Sequence, residues 1–127
     1  MDSSIHIKGL KISGELCLIR LRSATPAMGL LPAFCTIMAD SRINIPFIST
    51  AHQAGGLRAA CCVEAIQETM IKRLMDAEPT MNAHVSYTAG VGLLTLFPHQ
   101  SSLTLFGFSL RALFRQNIRV LGLASSI

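Results

Sequence analysis

The stretch GLLPAFCTIMADSRINIPFIST, residues 29–50, carries two patterns in succession. From Met28 to Met38, apolar residues recur at helical spacing: Leu30, Leu31, Phe34, Ile37 and Met38. Gly29 and Pro32 fall in the first turn, where the missing proline N–H would have no partner anyway. RINIPFIST, 42–50, then reads as a strand, and Pro46 places it near an edge or a bulge. Neither pattern carries a nucleophile, a metal cluster or a phosphate loop. The stretch reads as a unit that holds something: a helix laid on a sheet.

The flanking sequence extends this unit in both directions. IHIKGLKI, 5–12, alternates apolar and polar residues as a half-buried strand does, and ELCLIRLR, 15–22, is a second strand. SATP, 23–26, has the form of a helix start. HQAGG, 52–56, is a turn, and LRAACCV, 57–63, is the returning strand of a hairpin. EAIQETMIKRLMDA, 64–77, is an amphipathic helix with acids early and bases late, ended by Pro79. NAHVSYT (82–88) and VGLLTLF (91–97) are strands. A Ser-capped helix at 101–117 and a last strand at 118–127 follow. Strand, helix, strand, strand, helix, strand specifies an α+β, ferredoxin-like βαββαβ sandwich, an antiparallel sheet with helices on one face.

Shifted by 75 residues, the chain aligns with itself without gaps from Leu16 to His52. Leu18 meets Leu93, Leu30 meets Leu105, and Ile43 meets Ile118. The expected organisation is a lead-in strand at 1–14, a first domain at 15–88, and a partial second βαβ copy at 89–127. A half-module leaves apolar surface open, so the expectation is either a homodimer that covers it or a sequence that is a piece of a longer chain.

Composition narrows the function. Of 127 residues, 50% are hydrophobic and 14% charged, which argues for a packed core. Eleven basic and seven acidic residues give a net charge of +4, but the bases are scattered and there is no Trp. That excludes the concentrated basic face with stacking platforms that nucleic acid needs. The start, MDSSIHIKGLKISG, has no apolar signal core and no stretch is long enough to span a membrane, so a cytoplasmic protein is expected. Cys17, Cys35, Cys61 and Cys62 sit in apolar runs and read as buried thiols, with no metal or redox spacing. His84 reads as a satisfied or exposed strand residue. His99, Gln100 and Ser101 precede a helix and read as a capped surface loop, with an anion-binding helix start as the functional alternative. No carboxylate pair accompanies any histidine, and Asp40 is a lone acid. We expect no enzyme, no catalytic residues, no metal and no cofactor.

GLLPAFCTIMADSRINIPFIST in the first copy, with GVGLLTLFPH, LFRQNIRVLG and LASSI in the second, resembles a tandem pair of ACT domains. In particular it is similar to the regulatory half of aspartate kinases, and the lead-in IKGLKISGELCLIRL shares in that likeness. The resemblance implies allosteric regulation by an amino acid held at a domain or dimer interface. It places Gly29 at the family's loop glycine, with Met28, Leu30 and Leu31 beside it, and Asn44, Ile45 and Pro46 on the ligand-facing strand. Two acids of the lysine-sensitive kinases are replaced here by Pro46 and His52, and Thr104 stands for the glycine in the second copy. Those departures favour the alternative, an ACT-like assembly module without a small-molecule ligand.

Overall fold

The computed structural model describes residues 9–24, 29–53, 56–97 and 103–124. The chain divides into two compact units: Ser13–Leu93, and Met1–Ile12 together with Leu94–Ile127.

The larger unit holds β2 (Leu16–Ser23), α1 (Leu30–Asp40), β3 (Phe47–Gln53), β4 (Gly56–Glu64), α2 (Glu68–Asp76), α3 (Pro79–Asn82) and β5 (Val85–Val91). Its sheet has the order β3-β4-β2-β5, antiparallel at each pairing, which is the split βαβ arrangement expected. Strand alternation sends Cys17, Ile19 and Leu21 of β2, and Leu57, Cys61 and Val63 of β4, into one core. Leu30, Phe34 and Met38 of α1, and Ile71 and Met75 of α2, fill it from the helix side. Spacings of four on α1, and of four on α2, put each set on one face.

Ser13 and Leu93 close this unit at its ends. The Ser13 N–H donates to the Leu93 carbonyl at 2.9 Å, and the Leu93 N–H donates to Ser13 Oγ at 2.8 Å. Between them, Cys17 of β2 faces both Ala89 and Gly90, a bulge that Gly90 permits with φ of +69°.

The smaller unit holds β1 (Gly9–Ile12), β6 (Leu94–Phe97) and α4 (Leu103–Arg115). β1 pairs antiparallel with β6, and the Phe97 ring lies where a side chain on Gly9 would stand. The expected lead-in is thus not a separate segment, because a lone strand leaves its backbone groups unpaired and β6 supplies them.

Several expected elements shift. The strand expected from Arg42 begins at Phe47, directly after Pro46, and is an edge strand as that proline implied. Arg42 instead takes a left-handed conformation, φ 55°, and ends α1. The expected helix start at 23–26 is also displaced: Ser23 closes β2, and α1 begins after Gly29. Pro79 starts the short α3 as well as following α2. Residues 118–124 form no strand, so the second copy is strand and helix without its last strand among the described residues.

The 75-residue repeat reappears in backbone detail. The Arg42 N–H bonds the Ala39 carbonyl (2.9 Å) and the Ile43 N–H the Met38 carbonyl (3.0 Å). The Asn117 N–H bonds Phe114 (3.0 Å) and the Ile118 N–H bonds Leu113 (2.9 Å), with Asn117 at φ 58°. Both are the same paired helix-ending motif, and both helices stop at equivalent residues, Asp40 and Arg115.

Candidate functional site

A concave site of about 510 Å³ lies in the larger unit, between α1, from Gly29 to Ile37, and the connection that leads into β5. Leu30, Ile37 and Met81 form its apolar floor, and Glu78, Thr80 and His84 line the rim. Three of the rim groups come from the α2–β5 connection. The Arg22 N–H bonds the His84 carbonyl at 2.9 Å, and His84 Nδ1 lies 2.9 Å from the Arg22 carbonyl. A carbonyl only accepts, so Nδ1 carries a proton in this contact. The strand expected from residue 82 begins only at Val85, so His84 sits in the turn before it and is satisfied there by the Arg22 backbone.

The N-terminal end of α1 borders the same site. Gly29 is its cap, and it offers no side-chain hydrogen bond. Helix geometry gives the Leu30 and Leu31 N–H groups no intrahelical acceptor, and Pro32 has no N–H. These donors and the helix dipole favour a carboxylate or similar anion. Gly29 has φ −92° and ψ −7°, which any residue adopts. What its lack of a side chain provides is space: a Cβ there would meet nothing within 4 Å.

The expected site residues fall in two places. Gly29 and Leu30 line the site; Leu31 packs against the core beside them. Asn44, Ile45 and Pro46 lie beyond the other end of α1, and Ile45 packs on the core there. The register makes this plain: His52 and Leu57 stand beside Ser23 at one end of the sheet, while Phe47 and Cys62 stand beside Leu18 near the other. Eleven residues of helix separate the two groups, about 16 Å of axial rise. One copy of the unit does not bring them together. Met28, His99, Gln100 and Ser101 lie outside the described residues. Sequence reasoning missed Glu78, Thr80 and His84. The signal available was Glu-Pro-Thr after an amphipathic helix, a turn that must end on the same side as the α1 start.

No group of His, Cys, Asp and Glu side chains among the described residues has the placement to hold a metal. Cys17, Cys61 and Cys62 are buried as expected, whereas Cys35 is exposed on the outer face of α1. Its apolar neighbours in sequence point inward from other sides of the helix. Burial pushes the Cys61 thiol up to about 12, and raises Cys17 and Cys62 also. These thiols are packing groups. No helix of the described residues is long and apolar enough to cross a membrane.

No family model matches the chain, and no curated protein sequence does. Solved structures do. The aspartokinase alpha and beta subunits share the fold with a TM-score of 0.78 at 14% identity, over 95% of this chain and 82% of theirs. The regulatory subunit of aspartate kinase from Thermus flavus gives a TM-score of 0.77 at 12% identity, over 94% of this chain and 82% of its own. The aspartate kinase of Clostridium acetobutylicum gives 0.77 at 9% identity, over 94% of this chain and 29% of that longer one. The chain has the ACT-like fold of aspartate kinase regulatory regions.

Proposed function

We propose that this chain is a non-catalytic regulatory module that binds a small amino-acid effector. The observation that carries the reading is its fold, shared over 82% and 83% of their length with two chains that are themselves regulatory subunits. The site at the α1 start suits the chemistry of such an effector. The Leu30 and Leu31 N–H groups take the carboxylate, Glu78 takes the ammonium, and Leu30, Ile37 and Met81 contact the side chain. Glu78 then does the work of the acids that Pro46 and His52 replace.

Asn44, Ile45 and Pro46 contribute only if a second copy brings them to the first, so the module acts as a homodimer. The β3 and β5 edges are the pairing surfaces, with Ile48 exposed on β3. The second reading is an assembly module without a ligand. The separation of the two groups of expected site residues is the observation in its favour.

A thermal-shift screen against the twenty amino acids, with light scattering alongside, separates them. Binding to the folded state adds about 2.7 kcal/mol at a hundredfold excess over the Kd. A shift with one or two amino acids, lost in Gly29→Trp and in Glu78→Gln, supports the sensor. No shift, with a stable dimer in scattering, leaves assembly as the function.

A further inference from the structure

The face of the larger sheet turned away from the helices changes character along its length. Core residues alternate with it on β2 and β4, so Leu16, Leu18, Arg20 and Arg22 share this face with Arg58, Ala60 and Cys62. Leu16, Leu18 and Cys62 are buried at one end. At the other end Arg22 and Arg58 are exposed, and Arg20 is half-buried. The basic residues are scattered along the sequence, but the register gathers these three on one surface.

Arg22 and Arg58 are direct cross-strand partners, which puts their Cβ atoms about 5 Å apart. Arg20 stands two positions along β2 from Arg22, about 7 Å away. Its own neighbours are small: Ala60 on β4 and Ser86 on β5, with Ser49 of β3 beyond Ala60. The arginine side chains therefore rise above a low floor.

Among the described residues no acid offsets this charge. The one ion pair joins Lys72 and Glu68 on α2. Glu64 is the one acid on this face of the four strands, six positions along β4 from Arg58, about 20 Å away. Like charges directly opposite destabilise a sheet, so the Arg22–Arg58 pair weakens the fold unless an anion joins it. A second copy set face to face would add arginine to arginine.

The donors select the anion. A guanidinium fork matches carboxylate and phosphate oxygens alike. Two carboxylates placed to meet the opposed forks would repel each other across the same gap, whereas a phosphoryl group carries its charge and three acceptor oxygens on one centre. We propose that this end of the sheet binds a small polyphosphate. Arg22 and Arg58 clasp one phosphoryl group, and Arg20 with the Ser49 and Ser86 hydroxyls takes the next. A nucleic-acid strand carries the same phosphate chemistry but needs stacking platforms, and Phe47 is the one aromatic side chain on this face among the described residues. The inference uses residues apart from the amino-acid site and does not rest on it.

Isothermal titration of the full chain with inorganic triphosphate tests this, with citrate as a tricarboxylate and a short single-stranded RNA as comparisons. Triphosphate should bind saturably, and citrate about tenfold or more weaker. Arg58→Gln should weaken triphosphate about tenfold or more. The same variant should raise Tm of the free chain at low salt, because it removes the like-charge pair. The two readouts move in opposite directions, so a loss of fold cannot pass for a loss of the site. Arg111→Gln with Arg115→Gln, on α4, should leave the affinity unchanged. Absence of saturable binding, or equal affinity for triphosphate and citrate, overturns the proposal. So does an Arg58→Gln chain that binds as the parent does, binding of RNA alone, or a loss of affinity in the α4 variant.

Discussion

Arg42 and Tyr87 are the residues at which local and global demands conflict. Arg42 ends α1 in a left-handed conformation, φ 55°, that glycine adopts freely and arginine does not. Its N–H bond to Ala39 and the burial of Ile43 hold it there. Arg42→Gly should stabilise the unit by about 1 kcal/mol and raise Tm by a few degrees in a thermal melt. Asn117→Gly should do less, because asparagine already tolerates the conformation. Tyr87 packs on the core with its hydroxyl buried and without a hydrogen-bond partner, while Lys72 Nζ lies 5.2 Å from its ring centroid. Removing an unpartnered buried hydroxyl relieves its desolvation, so Tyr87→Phe should leave stability unchanged or higher in urea titration. A loss of more than about 1 kcal/mol would mean that the hydroxyl is bonded. The cysteines differ by placement rather than by sequence neighbourhood. Ellman's reagent should titrate Cys35 in the native state and all four thiols after denaturation. Cys61 adds a pH dependence. In the unfolded chain it ionises near 9.0, in the folded one near 12. Its stabilising contribution is full below the lower value and is lost as pH climbs through that window.

At the scale of elements, α1 and α4 are one design used twice. Each begins on an apolar stripe, stops at the same repeat position and turns through a left-handed residue into an isoleucine. Periodicity made both helices legible, because a stripe every three or four residues is a property of the local sequence. The starts were less legible. Ser23 looked like a cap, yet β4 and β5 both pair with β2, and the strand runs on through Ser23. α2 gains its polarity locally, with Glu68 at its start and Arg73 near its end. Glu68 and Lys72 meet at 3.0 Å on its surface, a pair worth about 0.3–0.5 kcal/mol. The core stripe of Ile71 and Met75 does far more to hold the helix in place. The strand expected at 118–127 shows the limit of pattern. Ile118 and Val120 alternate as strand residues do, but both are exposed and residues 118–124 make no ladder. A strand needs a neighbour, and alternation does not supply one.

At the scale of the molecule, the two units differ in how well they enclose a core. The larger has four strands under two main helices and thirteen buried residues in one cluster. The smaller has two strands and one helix, with Leu105 its one fully buried apolar residue among those described. Hydrogen exchange should follow this difference. Amides of β2 and β4 should be the slowest, and those of β1, β6 and α4 should exchange orders of magnitude faster, through opening of their unit alone. Equal protection in both units would show that they open together. The sequence by itself determined the α+β class, the order of the strands and main helices up to α4, the repeat and most of the core, since these follow from spacing along the chain. The tertiary structure decided the rest. It chose β6 as the partner of β1, brought Glu78, Thr80 and His84 to Gly29 and Leu30, and sent Asn44–Pro46 to the far end of α1. Those outcomes depend on the direction in which each strand and helix runs through the fold. Direction is set by which distant segments pair, and pairing is not written in the spacing of any one of them.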